Sequence, residues 1–318
     1  MLKKVRNLLL VGALAIGTVG CSSTKTTEKK DDFKVCLVLD EGGVNDQSFN
    51  ESAWKGALEA KEEYGIEVSY IESKGEGEYL QNVETAIDQD NDLVVGVGFK
   101  LTDTIGEAAK AYPEQKFALI DGTFEEIPKN VQPILFNEEQ AGYATGLIAS
   151  QMTKSNVVGF VGGMDIPSCS QFLVGFEKAI KAENSSINVL SQYANSFTDA
   201  AKGKTIAQQM INNGADILFM AGGGCNAGVI EAAKENNIKV IGVDLPSNYL
   251  APETIITSAL KNIGQGLKLT IKETLDGNFN GGNEVRYDLS NGGVGYEVTD
   301  HLSDELIKYV DEKLKAQK

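Results

Sequence analysis

The sequence predicts an α/β fold with parallel sheets, arranged as two similar halves. Short apolar runs alternate with helical segments from Phe33 onward, and the alternation restarts after Asn137. Three of the runs, at 37–40, 118–121 and 241–244, close on an aspartate. A repeated strand-then-helix order implies a parallel sheet covered on both faces. In open sheets of this kind ligands sit outside the carboxyl ends of the strands. Asp40, Asp121 and Asp244 are therefore expected to face one crevice.

The N-terminus carries Lys3, Lys4 and Arg6, then an apolar run from Leu8 to Val19, then Gly20 and Cys21. This is the pattern of a secretory signal, and a cysteine directly after a small residue is where a bacterial lipoprotein is cleaved and acylated. The run is too short to span a bilayer well. Residues 1–20 read as a lipoprotein signal peptide, Cys21 as the lipidated residue and 21–32 as a polar tether. An ordinary cleaved signal is the competing reading, and Thr18, where such boxes usually carry Leu, supports it. Cleavage removes three basic residues and no acidic one, moving the net charge from −16 to −19. Such acidity argues against nucleic acid as a partner and against an electrostatic grip on anionic lipid.

In the first half, VCLVLD, EVSYIE, DLVVGVG, KFALID and VQPILF read as strands. Between the first two, Ser48-Phe49-Asn50-Glu51 reads as a capping box, with Ser48 and Glu51 exchanging hydrogen bonds at the start of a helix whose first residue is Phe49. Phe49, Ala53, Trp54, Ala57 and Leu58 form an apolar helical stripe, so Phe49 has a core reading as well as a ligand-facing one. The second half repeats the pattern with VVGFVGG, INVLSQYA, DILFMAGG, KVIGVD and TIITSAL. Lobe I is assigned to 33–136 and 261–283, and lobe II to 137–260 and 284–318, with hinges near Phe136 and Lys261. Analogy rather than pattern places the helix IGQGLKLTIKETLDG on the first lobe and the tail from Glu284 on the second.

The single histidine, His301, leaves a His-based metal site or a Ser/Cys-His catalytic pair almost nothing to draw on. Cys36, Cys169 and Cys225 show no CxxC spacing; Cys36 reads as a small hydrophobe inside a strand. Cys169 and Cys225 are open to pairing, but free thiols are favoured because nothing here resembles a disulfide framework. No metal and no cofactor is expected.

The polar candidates are the three strand-end aspartates, each of which also has a plain role as a turn former. Lys261 is placed to balance them, against the alternative of a solvated surface lysine. Phe197 stands in the polar stretch NSFTD, where an aromatic ring has little to do except cover something. Phe172 is expected to open the helix FLVGFEKAI, although a core stripe with Phe176 explains it better. Two such rings could sandwich a flat ligand. The loop AGGGCNAG follows a strand and opens a helix, but it lacks both the Walker Lys-Ser/Thr and the GxGxxG spacing, so it is weak as a phosphate motif. Its backbone amides remain possible donors to a neutral group.

Taken together, LVLDEGGVNDQSFNESAWKG, GFVGGMDIP with the following Phe172, YANSFTDAAKGKTIA, AGGGCNAGVIEAA, VIGVDLPSNYLAP and ITSALKNIGQG resemble the basic membrane protein family of bacterial lipoproteins, which includes purine-nucleoside receptors of ABC importers. The resemblance runs from about Phe33 to the C-terminus. It implies a type I periplasmic-binding-protein fold holding adenosine, guanosine or inosine between two lobes, and a monomer working with a permease and an ATPase at the extracytoplasmic face of the cell membrane. By the same resemblance Phe49 and Phe197 stack on the base, Asp121 faces its polar edges, and Asp40, Asp244, Lys261 and the Gly222 backbone serve the ribose, with exchange among the aspartates left open. Asn45, Asp46 and Phe172 complete the implied site. Gly224-Cys225-Asn226 and Leu245-Pro246 depart from the family pattern and leave base preference open.

A receptor or sensor for a sugar or other polar nutrient is the alternative on the same fold. A nucleoside hydrolase would need a metal or a tuned acid/base pair, for which the aspartates have no ligand spacing.

Overall fold

The inner strands assigned from apolar runs are buried on both faces, which is why they lack a polar alternation, whereas EVSYIE and the run INVLSQYA form partly exposed edge strands. A computed structural model of the chain describes residues 33–317; the expected signal peptide, Cys21 and tether lie outside them. In β1 (Lys34–Leu39), Val35, Leu37 and Leu39 pack on one side against Ala53 and Ala57 of α1 (Phe49–Tyr64). On the other side, Cys36 and Val38 meet the helices α2 (Tyr79–Asp88) and α3 (Thr102–Ala111) through Val83 and Ile105. Two covering layers of helix therefore demand an unbroken apolar strand.

The first sheet adds β2 (Glu67–Glu72), β3 (Leu93–Val97), β4 (Lys116–Ile120) and β5 (Val131–Phe136) in the order β2-β1-β3-β4-β5. The chain then crosses at Asn137 into α4 (Glu138–Met152), β6 (Val157–Gly162), α5 (Pro167–Glu183), β7 (Asn188–Tyr193), α6 (Ala200–Asn212), β8 (Ile217–Ala221), α7 (Asn226–Asn236), β9 (Lys239–Asp244) and β10 (Ile255–Lys261). The second sheet runs β7-β6-β8-β9-β10, the same winding as the first. Strand order reverses between β1 and β3 and again between β6 and β8, and these are the switch points where such sheets open a crevice.

After β10 the chain returns to the first lobe as α8 (Ile263–Leu275), which packs on α1. Their backbones approach so closely that a Cβ on Gly56 would lie 2.2 Å from the Gly264 carbonyl oxygen. Next, β11 (Val285–Tyr287) pairs in parallel with β5, so the first lobe extends through Tyr287, contrary to the boundary at 284. Only then does β12 (Val294–Tyr296) join β10, antiparallel, followed by α9 (Asp304–Lys315). Lys261 likewise ends a strand of the second sheet, where it pairs with Val294, rather than opening a first-lobe segment. Strands of three residues are too short to carry a periodic signal, which is why the sequence reading passed over β11 and the third crossing it creates.

The three crossings lie side by side. The Asn137 amide donates to Tyr287 O at 2.8 Å, and the Asn262 amide to Gly293 O at 2.8 Å.

Candidate functional site

Asp121 follows β4 and Asp244 ends β9, strands at equivalent places in the two sheets. Both residues adopt left-handed backbone, with φ of 61° and 63°. Aspartate tolerates this conformation better than most side chains. In each sheet the turn directs a carboxylate into the space between the lobes.

That space is a cleft lined by both switch points. Asp40, Asp46, Phe49 and Asp121 border it from the first lobe, together with Asn50 and Phe99; Phe172, Phe197, Asp244 and Lys261 border it from the second. Two expected residues are not brought to the wall. Asn45 is exposed on the loop before α1. The Gly222 amide is consumed by the Asn226 side chain at 2.9 Å, and Gly223 takes its place at the cavity.

The helix starts differ from expectation in an instructive way. Ser48 does not cap α1; its hydroxyl instead donates across the cleft to Asp244 Oδ2 at 2.5 Å. Asp46 caps in its place, accepting from the amides of Ser48, Asn50 and Glu51 at 3.0, 2.9 and 3.1 Å. Glu51, freed from the capping box, pairs with Lys55 at 2.6 Å. Phe49 is the first residue of α1, as its sequence position indicates, and is half-buried. By contrast, α5 begins at Pro167, so Phe172 lies inside the helix, packed edge-on against Phe219 at 6.0 Å while still touching the cleft.

Phe197 is held by glycines. A Cβ on Gly163 would fall 2.3 Å from its ring, and the Gly224 amide donates to the Phe197 carbonyl at 2.8 Å. The glycine run of AGGGCNAG thus seats an aromatic residue. Phe99, from the first lobe, meets the Phe197 ring at 6.4 Å and 64°.

Two polar groupings occupy the cleft. In one, Asn50 Nδ2 donates to Asp40 Oδ1 at 2.7 Å and the Gly42 amide adds a second bond at 3.0 Å. Asn50 Oδ1 is left buried with no hydrogen-bond partner among the described residues. In the other, the ammonium of Lys261 contacts Asp121 and lies 2.8 Å from Glu138, between the rings of Phe49 and Phe136 at 5.4 and 5.3 Å from their centroids. Asp121 Oδ1 is also buried and without a partner among the described residues.

Burial pushes the Asp40 carboxyl up, against the Asn50 and Gly42 hydrogen bonds. It pushes Asp46 up to about 6, against its three amides, with the charge of Asp244 adding to the rise. It pushes Asp121 up to about 7, because the Lys261 charge only partly offsets the loss of water and Glu138 repels. Asp244 is raised by burial despite Lys261 and Ser48. For Lys261 burial works the other way, but Asp121, Glu138 and Asp244 outweigh it and keep the amine protonated.

The described residues contain no group of three or more His, Cys, Asp or Glu side chains arranged to hold a metal. Cys36, Cys169 and Cys225 are free and buried, Cys169 bordering the cleft. Sequence reasoning missed Asn50, Ser48, Phe99 and Glu138. Glu138 carried the most usable signal, since it follows the run VQPILF almost as the aspartates follow theirs.

The family model of the PnrA-like ABC transporter substrate-binding proteins matches residues 33–318. A curated relative from Lactococcus lactis subsp. cremoris, called an ABC transporter nucleoside-binding protein, is 35% identical over 95% of this chain and 95% of its own length. Basic membrane protein A of Borreliella burgdorferi is 35% identical, with 96% of this chain and 91% of that protein covered. Among solved structures, an ABC transporter solute-binding protein of Aeropyrum pernix superposes with a TM-score of 0.79 at 30% identity, over 90% of this chain and 80% of that one. The architecture is accordingly that of type I solute-binding proteins.

Proposed function

The chain belongs to the PnrA-like family of ABC transporter substrate-binding proteins, and we propose that it captures purine nucleosides between its lobes and delivers them to a membrane permease. One observation carries the reading: two buried acceptors without partners among the described residues, Asn50 Oδ1 and Asp121 Oδ1, point to a ligand rich in donors, in a cleft that also holds an aromatic ring from each lobe. Orphaned buried polar atoms are expensive, and a bound ligand is what would satisfy them.

The two polar groupings divide the work. An ammonium has three donors, of which Asp121 and Glu138 engage two, so one is left for the cleft. A hydroxyl can accept from that donor and donate to Asp121 Oδ1, which suits ribose. Asp244 lies in the same grouping. Asp40 and Asn50 flank Phe49 and suit the polar edge of a stacked base. This exchanges the roles that the family resemblance alone suggests for Asp40 and Asp121. A phosphorylated ligand would face clustered carboxylates, so a neutral nucleoside fits better than a nucleotide. A sugar would use the Lys261 grouping but leave Phe49 and Phe197 with nothing flat to stack on. The Lactococcus relative's name supports the nucleoside, and the cysteine at 21 supports lipid anchoring on the extracytoplasmic face.

Calorimetry with adenosine, guanosine and inosine tests the reading. Binding is expected for at least one, and Phe197→Ala is expected to weaken it by about tenfold or more through lost stacking and burial. Absence of heat with all three, or an unchanged affinity in Phe197→Ala, would overturn it.

A further inference from the structure

Glu138 is 5% exposed, the first residue of α4 and absent from the cavity wall, yet its carboxylate lies 2.8 Å from the Lys261 ammonium. Lys261 already contacts Asp121, and a lysine–aspartate pair is neutral by itself. A second buried carboxylate costs several kcal/mol of desolvation unless it does something. The unpaired oxygen of Asp121 indicates what that is. An ammonium with three protons touches Asp121 Oδ2, but Oδ1 of the same carboxylate stays open. A flexible lysine drawn by Asp121 alone would settle across both oxygens and cover the acceptor.

We propose that Glu138 is a positioning residue for ligand binding: it draws the Lys261 ammonium back toward the hinge, so that Asp121 Oδ1 stays open to a ligand hydroxyl and one ammonium donor stays turned to the cleft. Its placement suits the role. Glu138 follows the first crossing at Asn137, and Lys261 precedes the second at Asn262, so the pair ties two connections together next to the cleft. The start of α4 is itself fixed against α5, where a Cβ on Gly142 would meet the Phe172 carbonyl oxygen at 2.0 Å. Helix packing that close leaves Glu138 little freedom to follow the ammonium.

The inference rests on the nucleoside reading for its consequence, but its geometric core can be tested without ligand. A crystal structure of the ligand-free Glu138→Gln variant should show the Lys261 Nζ moved across both oxygens of Asp121; an unmoved Nζ would overturn the inference whichever ligand the protein takes. If the wild-type protein binds inosine, Glu138→Gln should lower affinity about tenfold and shift the acid limb of the affinity–pH profile to lower pH, because a charge that repels the Asp121 carboxylate is gone. In an Asp121→Asn background the same substitution should cost little further. Wild-type affinity and pH profile, or losses that add in full, would count against a positioning role. Should Glu138→Gln fail to fold, Glu138→Asp, which keeps the charge but withdraws it from the ammonium, should give the same displacement in part.

Discussion

Three carboxylates, Asp121, Glu138 and Asp244, share the ammonium of Lys261 in a buried space, so the grouping holds more acid than base. The consequence is a pH dependence whose sign can be worked out. Folded, the coupled grouping of Asp121 with Glu138 and Lys261 gives up its proton only near pH 7, whereas in the unfolded chain Asp121 releases it near the ordinary value of 3.8. Between these limits the folded state binds more protons, so stability falls as pH rises through the window. Asp46, raised to about 6, contributes in the same direction over the lower part of it. Calorimetric melting of the ligand-free protein from pH 5 to 7.5 should therefore show a falling midpoint, and Asp121→Asn should flatten the trend. Ligand binding is expected to run the opposite way. A hydroxyl donates best to an ionised carboxylate, so nucleoside affinity should rise over the same range with release of a proton, measurable as a difference in binding heat between buffers of different ionisation enthalpy. A proton count of zero would remove Asp121 from direct contact with the ligand.

At the scale of elements, close backbone contact between helices sets what the fold tolerates. Alanine at Gly56 would drive a methyl group into the Gly264 backbone, with no flexible side chain to yield. Overpacking of this kind costs about 3 kcal/mol at the upper end of its usual range, and urea denaturation of Gly56→Ala should show the midpoint fall accordingly. An unshifted midpoint would mean that α1 and α8 can separate freely. The elements also show what a sequence can and cannot disclose. Strands such as β1 and β9 were legible because burial on both faces forces an unbroken apolar run, and their terminal aspartates followed from strand direction alone. Phe197 was legible because an aromatic residue in a polar loop needs a reason, and Phe49 because it opens the helix that follows the first strand and its loop. What stayed hidden depended on pairing across space: Ser48 reads as a cap until Asp244, from the other lobe, takes its hydroxyl. Asn50 reads as one polar residue among several until its amide meets Asp40. Glu138 reads as an ordinary first-turn acid until Lys261 arrives from the far end of the second half.

For the molecule as a whole, the buried Ser48–Asp244 hydrogen bond joins the lobes directly. A hydrogen bond to a charged group contributes about 1.5–3 kcal/mol, and this one exists only while the lobes are together. Ser48→Ala should therefore speed nucleoside dissociation by about tenfold, read by stopped-flow displacement, and should enlarge the ligand-free particle in small-angle scattering. Unchanged rates and profile would show that closure is held elsewhere, at the Phe99–Phe197 contact or the Lys261–Asp121 pair.

The third crossing between the lobes bears on how the molecule is made. Because β11 joins the first sheet beside β5 and β12 joins the second beside β10, neither lobe is one continuous stretch of chain. During synthesis the first lobe lacks its last strand until Val285–Tyr287 has emerged, and the second waits for Val294–Tyr296. Native pairings that span so much sequence form late and slowly. Nearly the whole polypeptide must be available before either half can finish, so the halves are expected to reach their final form together. A chain truncated before Val285 should then be caught by proteases as an incomplete pair of sheets rather than persist as one finished lobe and one loose one.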